Sequence, residues 1–348
     1  MPSPEQQQAS PSAEGDLGPG QRGASLEKEF DSSSECDFRT REILAFKFGG
    51  SSLDGADRLR HSASLVREAA QSCPVAVVVS AMKGVTDRLL RVAQLLADSR
   101  NQAARVEAEG IVEHHVTTLR DLKLEQRDSE QVAHEIKLLS GDLLHEVPQQ
   151  RKVQVTPALF DRLGSFGERL SARLFAAALV ASGVPAVPVS SSDFVVTCDN
   201  FRDAKPQLAH TRLRGRHVLL PVLHAGIVPV VTGFIGATPD GKITTLGRNS
   251  SDFSGALIAH IVDAEELVIW TDVDGIYSAN PHESNEAQLL HELSYEEARV
   301  LAARGAKVLH PGVLPLAAQT GMTVWVRNTF RPQARGTRIA AQIKGGVL

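Results

Sequence analysis

From Glu42 onward, short apolar runs alternate along the chain with longer segments whose apolar residues recur at helical spacing. The apolar runs predict strands at 43–48, 75–79, 184–189, 227–231, 267–270 and 323–326. The helical patterns cover 56–71, 86–97, 166–181, 251–262 and 294–304. Because nearly continuous apolar strands need burial on both faces, this alternation predicts an α/β fold with a largely parallel central sheet and helices on both sides.

The segment 99–150 interrupts this alternation. It is long and charged and contains few Gly or Pro residues, so we expect a helical excursion from the sheet. Four histidines, His114, His115, His134 and His145, fall in it without the HExxH spacing of a zinc site. We therefore interpret them as part of a solvent-facing helix surface.

Residues 1–40 have a different composition, with eight acidic side chains against three basic ones among mostly Ser, Gln, Gly and Pro. Such a segment buries too little apolar surface to offset its chain entropy, so we expect a disordered acidic tail. The remaining residues, 41–348, hold 34 basic and 33 acidic side chains and are nearly neutral. We expect them to form the folded part of the chain.

Composition excludes several classes of protein. A formal net charge of −4 gives no reason to expect nucleic-acid binding, and no apolar run approaches the ~20 residues that span a bilayer. The start of the chain lacks a secretion signal, and three widely spaced cysteines suggest neither a disulfide framework nor a zinc site. We expect a cytoplasmic protein without a membrane partner.

Two segments imitate nucleotide-binding motifs. Gly18–Gly23 matches GxGxxG, but neither flank has the strand or helix pattern that this motif needs. The segment 236–242 matches GxxxxGK, but Ile243 follows where Ser or Thr would hold magnesium, and Pro239-Asp240-Gly241 predicts a hairpin turn instead. No GxSxG nucleophile elbow occurs.

A stronger candidate for anion binding is Lys47-Phe48-Gly49-Gly50-Ser51-Ser52, between a predicted strand and a predicted helix. Two glycines allow close backbone approach, the helix start favours an anion, and the lysine adds positive charge. The alternative is a plain Gly-Gly turn with a surface lysine.

Two further segments place charged groups at predicted helix starts. Arg248 offers a bidentate clamp for a carboxylate or phosphate, and Ser251 and Asp252 would lie on the first turn of the next helix. Alternatively, Ser250 or Ser251 is an N-cap, which leaves Arg248 unexplained. Glu168 begins an apolar helix, where it either stabilises the helix dipole or binds a substrate ammonium group.

The strand at 267–270 ends in Thr271 and Asp272, at the sheet edge where α/β proteins bind ligands. We interpret the following Asp274-Gly275 as a turn. Lys307 follows a predicted helix and carries no strong signal by itself.

In order, seven segments resemble the aspartate kinases of the amino acid kinase family, most closely the kinase portion of the bifunctional aspartokinase/homoserine dehydrogenases. The resemblance covers about residues 43–339. The segments are KFGGSS (47–52), SAMKGVTD (80–87), GERLSA (167–172), TLGRNSSDFSGA (245–256), IWTDVDGIYSANP (269–281), GAKVLHP (305–311) and VRNTFRPQARGT (326–337). The resemblance implies that residues 41–348 form a catalytic domain with a three-layer α/β/α fold, with a substrate lobe at about 41–240 and a nucleotide lobe at about 241–345.

The resemblance also implies roles. Lys47 bridges the acceptor carboxylate and the transferred phosphoryl group, and Asp252 joins it as a catalytic residue. The expected phosphate and nucleotide contacts are Lys47, Gly49, Gly50, Ser51, Ser251, Thr271, Asp272, Tyr277 and Lys307. The expected substrate contacts are Ser80, Thr86, Glu168 for the ammonium group and Arg248 for the α-carboxylate. The implied reaction is ATP and L-aspartate giving 4-phospho-L-aspartate, with magnesium carried by ATP rather than by a protein site.

Some positions depart from the family pattern. Asn280-Pro281-His282 stands where Asp-Pro-Arg is common, Ser51 replaces Thr and Ser250 replaces Gly. Aspartate kinases usually continue into paired ACT regulatory domains, but we expect this chain to lack them and to show no feedback inhibition by lysine or threonine. The resemblance leaves a homodimer open. The alternatives are a kinase for another small acid and a catalytically inactive regulatory paralogue.

Overall fold

The computed structural model describes residues 42–150, 153–279, 284, 286–303 and 309–342. The acidic tail, the Asn280-Pro281-His282 departure and Lys307 lie outside these ranges.

The described residues contain ten α-helices. They are α1 (Ala56–Ala70), α2 (Val85–Ala97), α3 (Asn101–Leu122), α4 (Gln126–Glu146), α5 (Pro157–Gly164), α6 (Phe166–Ala181), α7 (Leu208–His224), α8 (Ser251–Val262), α9 (Tyr295–Ala303) and α10 (Val313–Thr320).

The same residues contain twelve strands. They are β1 (Leu44–Phe48), β2 (Val75–Val79), β3 (Ala186–Val189), β4 (Val228–Thr232), β5 (Ile235–Ala237), β6 (Ile243–Thr245), β7 (Glu266–Thr271), β8 (Ile276–Tyr277), β9 (Leu289–Leu290), β10 (Glu292–Ser294), β11 (Thr323–Asn328) and β12 (Thr337–Ala340).

Eight strands of the described chain form one central sheet in the order β10, β12, β11, β7, β1, β2, β4, β3. All neighbouring pairs are parallel except β11 with β12. The remaining strands form two ribbons, β5 with β6 and β8 with β9. The first ribbon confirms the hairpin turn predicted at Pro239-Asp240-Gly241, where the Thr238 N–H donates to the Lys242 carbonyl at 2.9 Å.

Each face of the sheet has its own apolar core. Phe46 and Phe48 of β1 face a core shared with α1, α2 and α6, whereas Ala45 faces one shared with α8 and α10. All five residues of β2 are buried. The predicted three-layer fold, with a largely parallel sheet between two helical layers, is therefore confirmed.

The edge strand β3 differs from the prediction of strands buried on both faces. Its residues are only half-buried or exposed, and Val187 is 37% exposed. Proline has no N–H to donate, so Pro185 and Pro188 suit a strand at the edge of a sheet.

The charged stretch 99–150 forms the helix pair α3 and α4, as predicted. The interpretation of its histidines as solvent-facing is wrong for His115, which is fully buried. His115 shares a helix face with the buried Ile111 and Leu119, and its Nδ1 lies 2.8 Å from the Ile111 carbonyl. Burial lowers the pKa of His115 to about 4, so the ring is neutral at pH 7.

The sequence analysis did not predict α7. This helix contains Pro221 and has few buried residues, so its apolar pattern is weak. No helix in the described ranges is long and apolar enough to cross a membrane.

Candidate active site

The candidate site lies where the central strands end. Phe48, the last residue of β1, pairs with Val79 of β2 and with Trp270 of β7, and Val79 pairs with Thr232 of β4. The segments that follow these four strands therefore leave from one edge of the sheet. Ligands of open α/β sheets bind at this edge.

Lys47 and Asp252 form the charged centre of the site. Lys47 is only 6% exposed, and its Nζ lies 2.7 Å from Oδ1 of Asp252 on the first turn of α8. The helix approaches closely because residue 255 is glycine: a Cβ there would lie 3.1 Å from Cβ of Lys47. The ammonium group is thus held at a helix N-terminus, where free backbone N–H groups also favour an anion.

The glycine segment after β1 packs beside this lysine. The Gly49 N–H donates to the Trp270 carbonyl at 3.1 Å, and a Cβ at Gly49 would lie 3.6 Å from Lys47 Nζ. A Cβ at Gly50 would lie 2.7 Å from the Ala81 carbonyl oxygen, closer than real Cβ atoms approach backbone. Packing alone therefore requires glycine at position 50, in addition to its predicted part in anion binding. Ser51, half-buried, accepts at its carbonyl from Arg58 Nη1 at 2.7 Å.

Glu168 lies on the first turn of α6 and is only 3% exposed. Burial raises its pKa to about 8, although the Ala81 N–H and the charge of Lys47 oppose this rise. Its Oε2 is buried and has no hydrogen-bond partner among the described residues. Stabilisation of the helix dipole alone does not require such burial, because exposed acids also provide it. A buried carboxyl group with a free oxygen is suited to an ammonium ligand.

Two other predicted substrate contacts follow β2. Ser80 is half-buried, and its N–H donates to the Phe48 carbonyl at 3.1 Å, next to the glycine segment. Thr86 is half-buried on the first turn of α2.

Arg248 lies at the open side of the site. Its Nη2 donates to Oδ1 of Asp87 at 2.7 Å, and the two side chains are 72% and 68% exposed. Asp87 follows Thr86, so this ion pair joins the segment before α8 to the start of α2.

The N-cap alternative for the two serines is not favoured by the geometry. Ser250 occupies the N-cap position of α8 but forms no side-chain cap hydrogen bond. Its Oγ is buried and has no hydrogen-bond partner in the described part of the chain. Ser251 is half-buried beside Asp252.

The predicted nucleotide contacts lie at the end of β7 and beyond. Thr271 is half-buried and donates from Oγ1 to Oδ1 of the exposed Asp272 at 3.3 Å. Asp274 accepts from Asn328 Nδ2 at 2.8 Å and pairs with Arg331, which fits its interpretation as a turn residue. Tyr277 is half-buried in the separate ribbon of β8 and β9.

The structure thus joins Lys47, Asp252 and the glycine segment directly, with Glu168 close enough to Lys47 to be affected by its charge. Arg248 and Thr86 are joined through Asp87, and Thr271 follows the Trp270 carbonyl that binds Gly49. Groups of three or more His, Cys, Asp or Glu side chains arranged for a metal ion are absent from the described ranges.

Two residues near this site were missed by the sequence analysis. Asp161 on α5 is 2% exposed and accepts hydrogen bonds from the Arg202 and Thr245 backbones. The His310 ring stacks on the Phe253 ring, with centroids 5.5 Å apart, next to Asp252. The only signal for Asp161 was an acid beside apolar residues, in a segment that the sequence analysis assigned to no element. The only signal for His310 was its position in the GAKVLHP segment.

Comparisons with known proteins agree with this geometry. A model of the amino acid kinase family matches residues 42–328. The chain belongs to the amino acid kinase family. This membership accounts for the largely parallel sheet and for the position of the site at one edge of it.

Within the amino acid kinase family, the chain is 33% identical over 298 residues to lysine-sensitive aspartokinase 3 of Escherichia coli, covering 86% of this chain and 64% of that protein. It is 32% identical to the chloroplastic aspartokinase 1 of Arabidopsis thaliana, covering 84% of this chain and 51% of the relative. The chain therefore spans less than two thirds of these relatives.

A crystal structure of E. coli aspartokinase III in complex with aspartate and ADP matches with a TM-score of 0.79 and 32% identity, covering 87% of this chain and 66% of that one. The same enzyme in complex with lysine and aspartate matches with a TM-score of 0.77, 32% identity and the same coverage of both chains.

Proposed function

We propose that this chain is an aspartate kinase, which transfers the γ-phosphoryl group of ATP to the β-carboxylate of L-aspartate and gives 4-phospho-L-aspartate. The observation that carries the proposal is the Lys47–Asp252 pair, 2.7 Å apart beside the buried Glu168, whose Oε2 has no partner in the described residues. The similar aspartokinase III structure, in complex with aspartate and ADP, supports the choice of substrates.

The residues suit this chemistry because the acceptor needs no general base. A β-carboxylate has a reference pKa of about 3.9 and is already ionised at pH 7. Catalysis then depends on alignment of the two substrates and on neutralising the charge of the phosphoryl oxygens. Lys47 would supply a positive charge that Asp252 orients, and the Gly49-Gly50 backbone and the α8 N-terminus would supply N–H donors. Magnesium bound with ATP would neutralise further phosphate charge.

The acceptor pocket favours a free α-amino acid. Glu168 would bind the substrate ammonium group, Arg248 would bind the α-carboxylate, and Ser80 and Thr86 would line the pocket between them. An N-acylated acid has no ammonium group and would leave the Glu168 carboxyl group buried without a partner, which is costly. This argues for aspartate over an acetylglutamate-like acceptor.

On the nucleotide side, Ser51, Ser251, Thr271, Asp272, Tyr277 and Lys307 are the proposed contacts. We assign residues 41–240 to the substrate lobe and 241–345 to the nucleotide lobe. That the protein is cytoplasmic and that it forms a homodimer both remain predictions.

The proposal is tested by trapping the acyl phosphate with hydroxylamine in the presence of Mg·ATP. Hydroxamate should form with L-aspartate and not with N-acetylglutamate, L-glutamate or no acceptor. If hydroxamate forms from one of the other acids instead, that acid would replace L-aspartate as the proposed substrate. ATP binding without turnover on any of these acids would favour the inactive regulatory paralogue.

A further inference from the structure

Asp161 is a buried carboxylate that binds two separate segments of the chain. Asp161 lies on α5 and is only 2% exposed. Its Oδ2 accepts from the Arg202 N–H at 2.8 Å and from the Thr245 N–H at 2.9 Å, and its Oδ1 accepts from Thr245 Oγ1 at 2.8 Å. Burial raises the pKa of this carboxyl group, and the three hydrogen bonds oppose that rise. A buried carboxylate destabilises the fold unless hydrogen-bond donors contact it, and three donors contact this one.

Asp161 links two parts of the chain that carry proposed substrate contacts: it is bound to Thr245, which precedes Arg248, and its helix α5 leads into α6, which carries Glu168. Thr245 ends β6, three residues before Arg248. On the other side, Asp161 precedes Glu168 by seven residues, about two helical turns. The Ser165 N–H donates to the Asp161 carbonyl at 2.9 Å, where α5 passes into α6. A shift of Asp161 would therefore change the separation between the Arg248 segment and the Glu168 helix.

Other contacts hold the backbone between Thr245 and Arg248. The Ala204 N–H donates to the Thr245 carbonyl at 2.9 Å, and the Leu246 N–H donates to the Phe234 carbonyl at 2.9 Å. Gly247 has φ +92°, and a Cβ there would lie 2.8 Å from Oδ1 of Asp203. These contacts hold the backbone of residues 245–247 in place, and Asp161 adds a hydrogen-bonded contact to a buried carboxylate.

The Arg248 side chain is not fixed in the same way. It is 72% exposed, and its ion pair with Asp87 is an exposed one, which contributes little to holding a long side chain. The position of its guanidinium group therefore depends mainly on the backbone that carries it.

We propose that Asp161 is a positioning residue for the acceptor amino acid: it sets the distance between Arg248, which binds the α-carboxylate, and Glu168, which binds the ammonium group. This inference rests on the proposed aspartate kinase activity. It predicts a selective effect, since the segments that Asp161 joins lead to the proposed acceptor contacts Arg248 and Glu168, and the glycine segment after β1 is not among its hydrogen-bond partners.

The test compares Asp161→Asn with Thr245→Val and Thr245→Ser. Asparagine removes the negative charge and one acceptor oxygen, and its NH2 group must face either the two backbone N–H groups or Thr245 Oγ1, so KM for aspartate should rise about tenfold while KM for ATP changes less than twofold. Thr245→Val removes only the hydroxyl donor and should raise KM for aspartate about threefold, and Thr245→Ser should restore the wild-type value.

Leu143→Ala is the matched control, because Leu143 is fully buried in α4 and its apolar side chain cannot take part in the hydrogen bonds of Asp161. It should lower the melting temperature without changing KM for aspartate. The inference is overturned if KM for aspartate stays at the wild-type value in folded Asp161→Asn, if KM rises equally for both substrates, or if Leu143→Ala has the same effect. A wild-type protein that forms no aspartyl hydroxamate contradicts the proposed function itself, whereas an active wild type with unaltered variants contradicts only this inference.

Discussion

Lys47 Nζ and Asp252 Oδ1 lie 2.7 Å apart, although one residue is in the first strand of the sheet and the other begins α8. The lysine side chain is 8% exposed and the aspartate side chain 22%. Because the pair lies at the edge where β1, β2, β4 and β7 end, it places a fixed positive charge where the proposed phosphoryl transfer occurs.

Replacing Lys47 by alanine should reduce turnover by about a thousandfold or more, since the lysine charge would act on the transferring phosphoryl group. The fold should persist because Asp252 keeps access to water. Hydroxamate formation measures the rate, and circular dichroism with thermal melting measures the fold. Lys137→Ala, at an exposed position of α4, should keep wild-type activity. Near-normal turnover in folded Lys47→Ala would contradict the role of this lysine.

Glu168→Gln should act on the acceptor and not on the nucleotide. The substitution keeps the size of the side chain but removes the charge that would bind the substrate ammonium group, so KM for aspartate should rise about tenfold or more. KM for ATP should stay within about twofold of the wild type. Steady-state kinetics with each substrate varied in turn measures both values. A rise confined to the ATP value would refute the assignment.

Burial of Glu168 also predicts a pH dependence. Its pKa of about 8 means that the carboxyl group of the free enzyme is protonated at pH 6 to 7. Binding of a substrate ammonium group favours the ionised form, so a proton must leave below that pKa. KM for aspartate should therefore fall about tenfold per unit as pH rises from 6 towards 8, and then level off. In Glu168→Gln this slope should vanish; a flat wild-type profile between pH 6 and 8 would count against the ammonium contact.

Gly50→Ala should disturb the glycine segment, because the added Cβ would lie 2.7 Å from the Ala81 carbonyl oxygen. The segment must shift away from Ala81, so we expect KM for ATP to rise and turnover to fall, each about tenfold. Gly141→Ala is the control: it lies within α4, and a Cβ there meets no atom within 4 Å. That variant should keep full activity and gain up to about 1 kcal/mol in free energy of unfolding. Unaltered kinetics in Gly50→Ala would show that the segment tolerates the shift.

The sequence predicted those parts of the fold that have a strong local pattern. The five buried residues of β2 and the apolar face of α2 appear directly as apolar spacing. β12 did not, because this four-residue strand is defined by its antiparallel pairing with β11 and its parallel pairing with β10. α7 was missed because Pro221 and its exposed residues obscure the helical period.

For the site, the motifs supplied residue types and order, but not contacts. The resemblance implied that Asp252 acts together with Lys47, but no local pattern shows their contact, because the parallel register of β1 with β7 and the close approach at Gly255 bring them together. Asp161 was missed for a related reason. Its donors, Arg202 and Thr245, are distant in sequence, so no local pattern marks this acid as buried.

The most direct test of the account is hydroxamate formation by the purified wild-type chain with Mg·ATP, measured with L-aspartate, with N-acetylglutamate and without acceptor. We predict ADP release and hydroxamate in equal amounts, dependent on L-aspartate alone. ATP binding with no hydroxamate from aspartate, or hydroxamate from N-acetylglutamate instead, would contradict the proposed function.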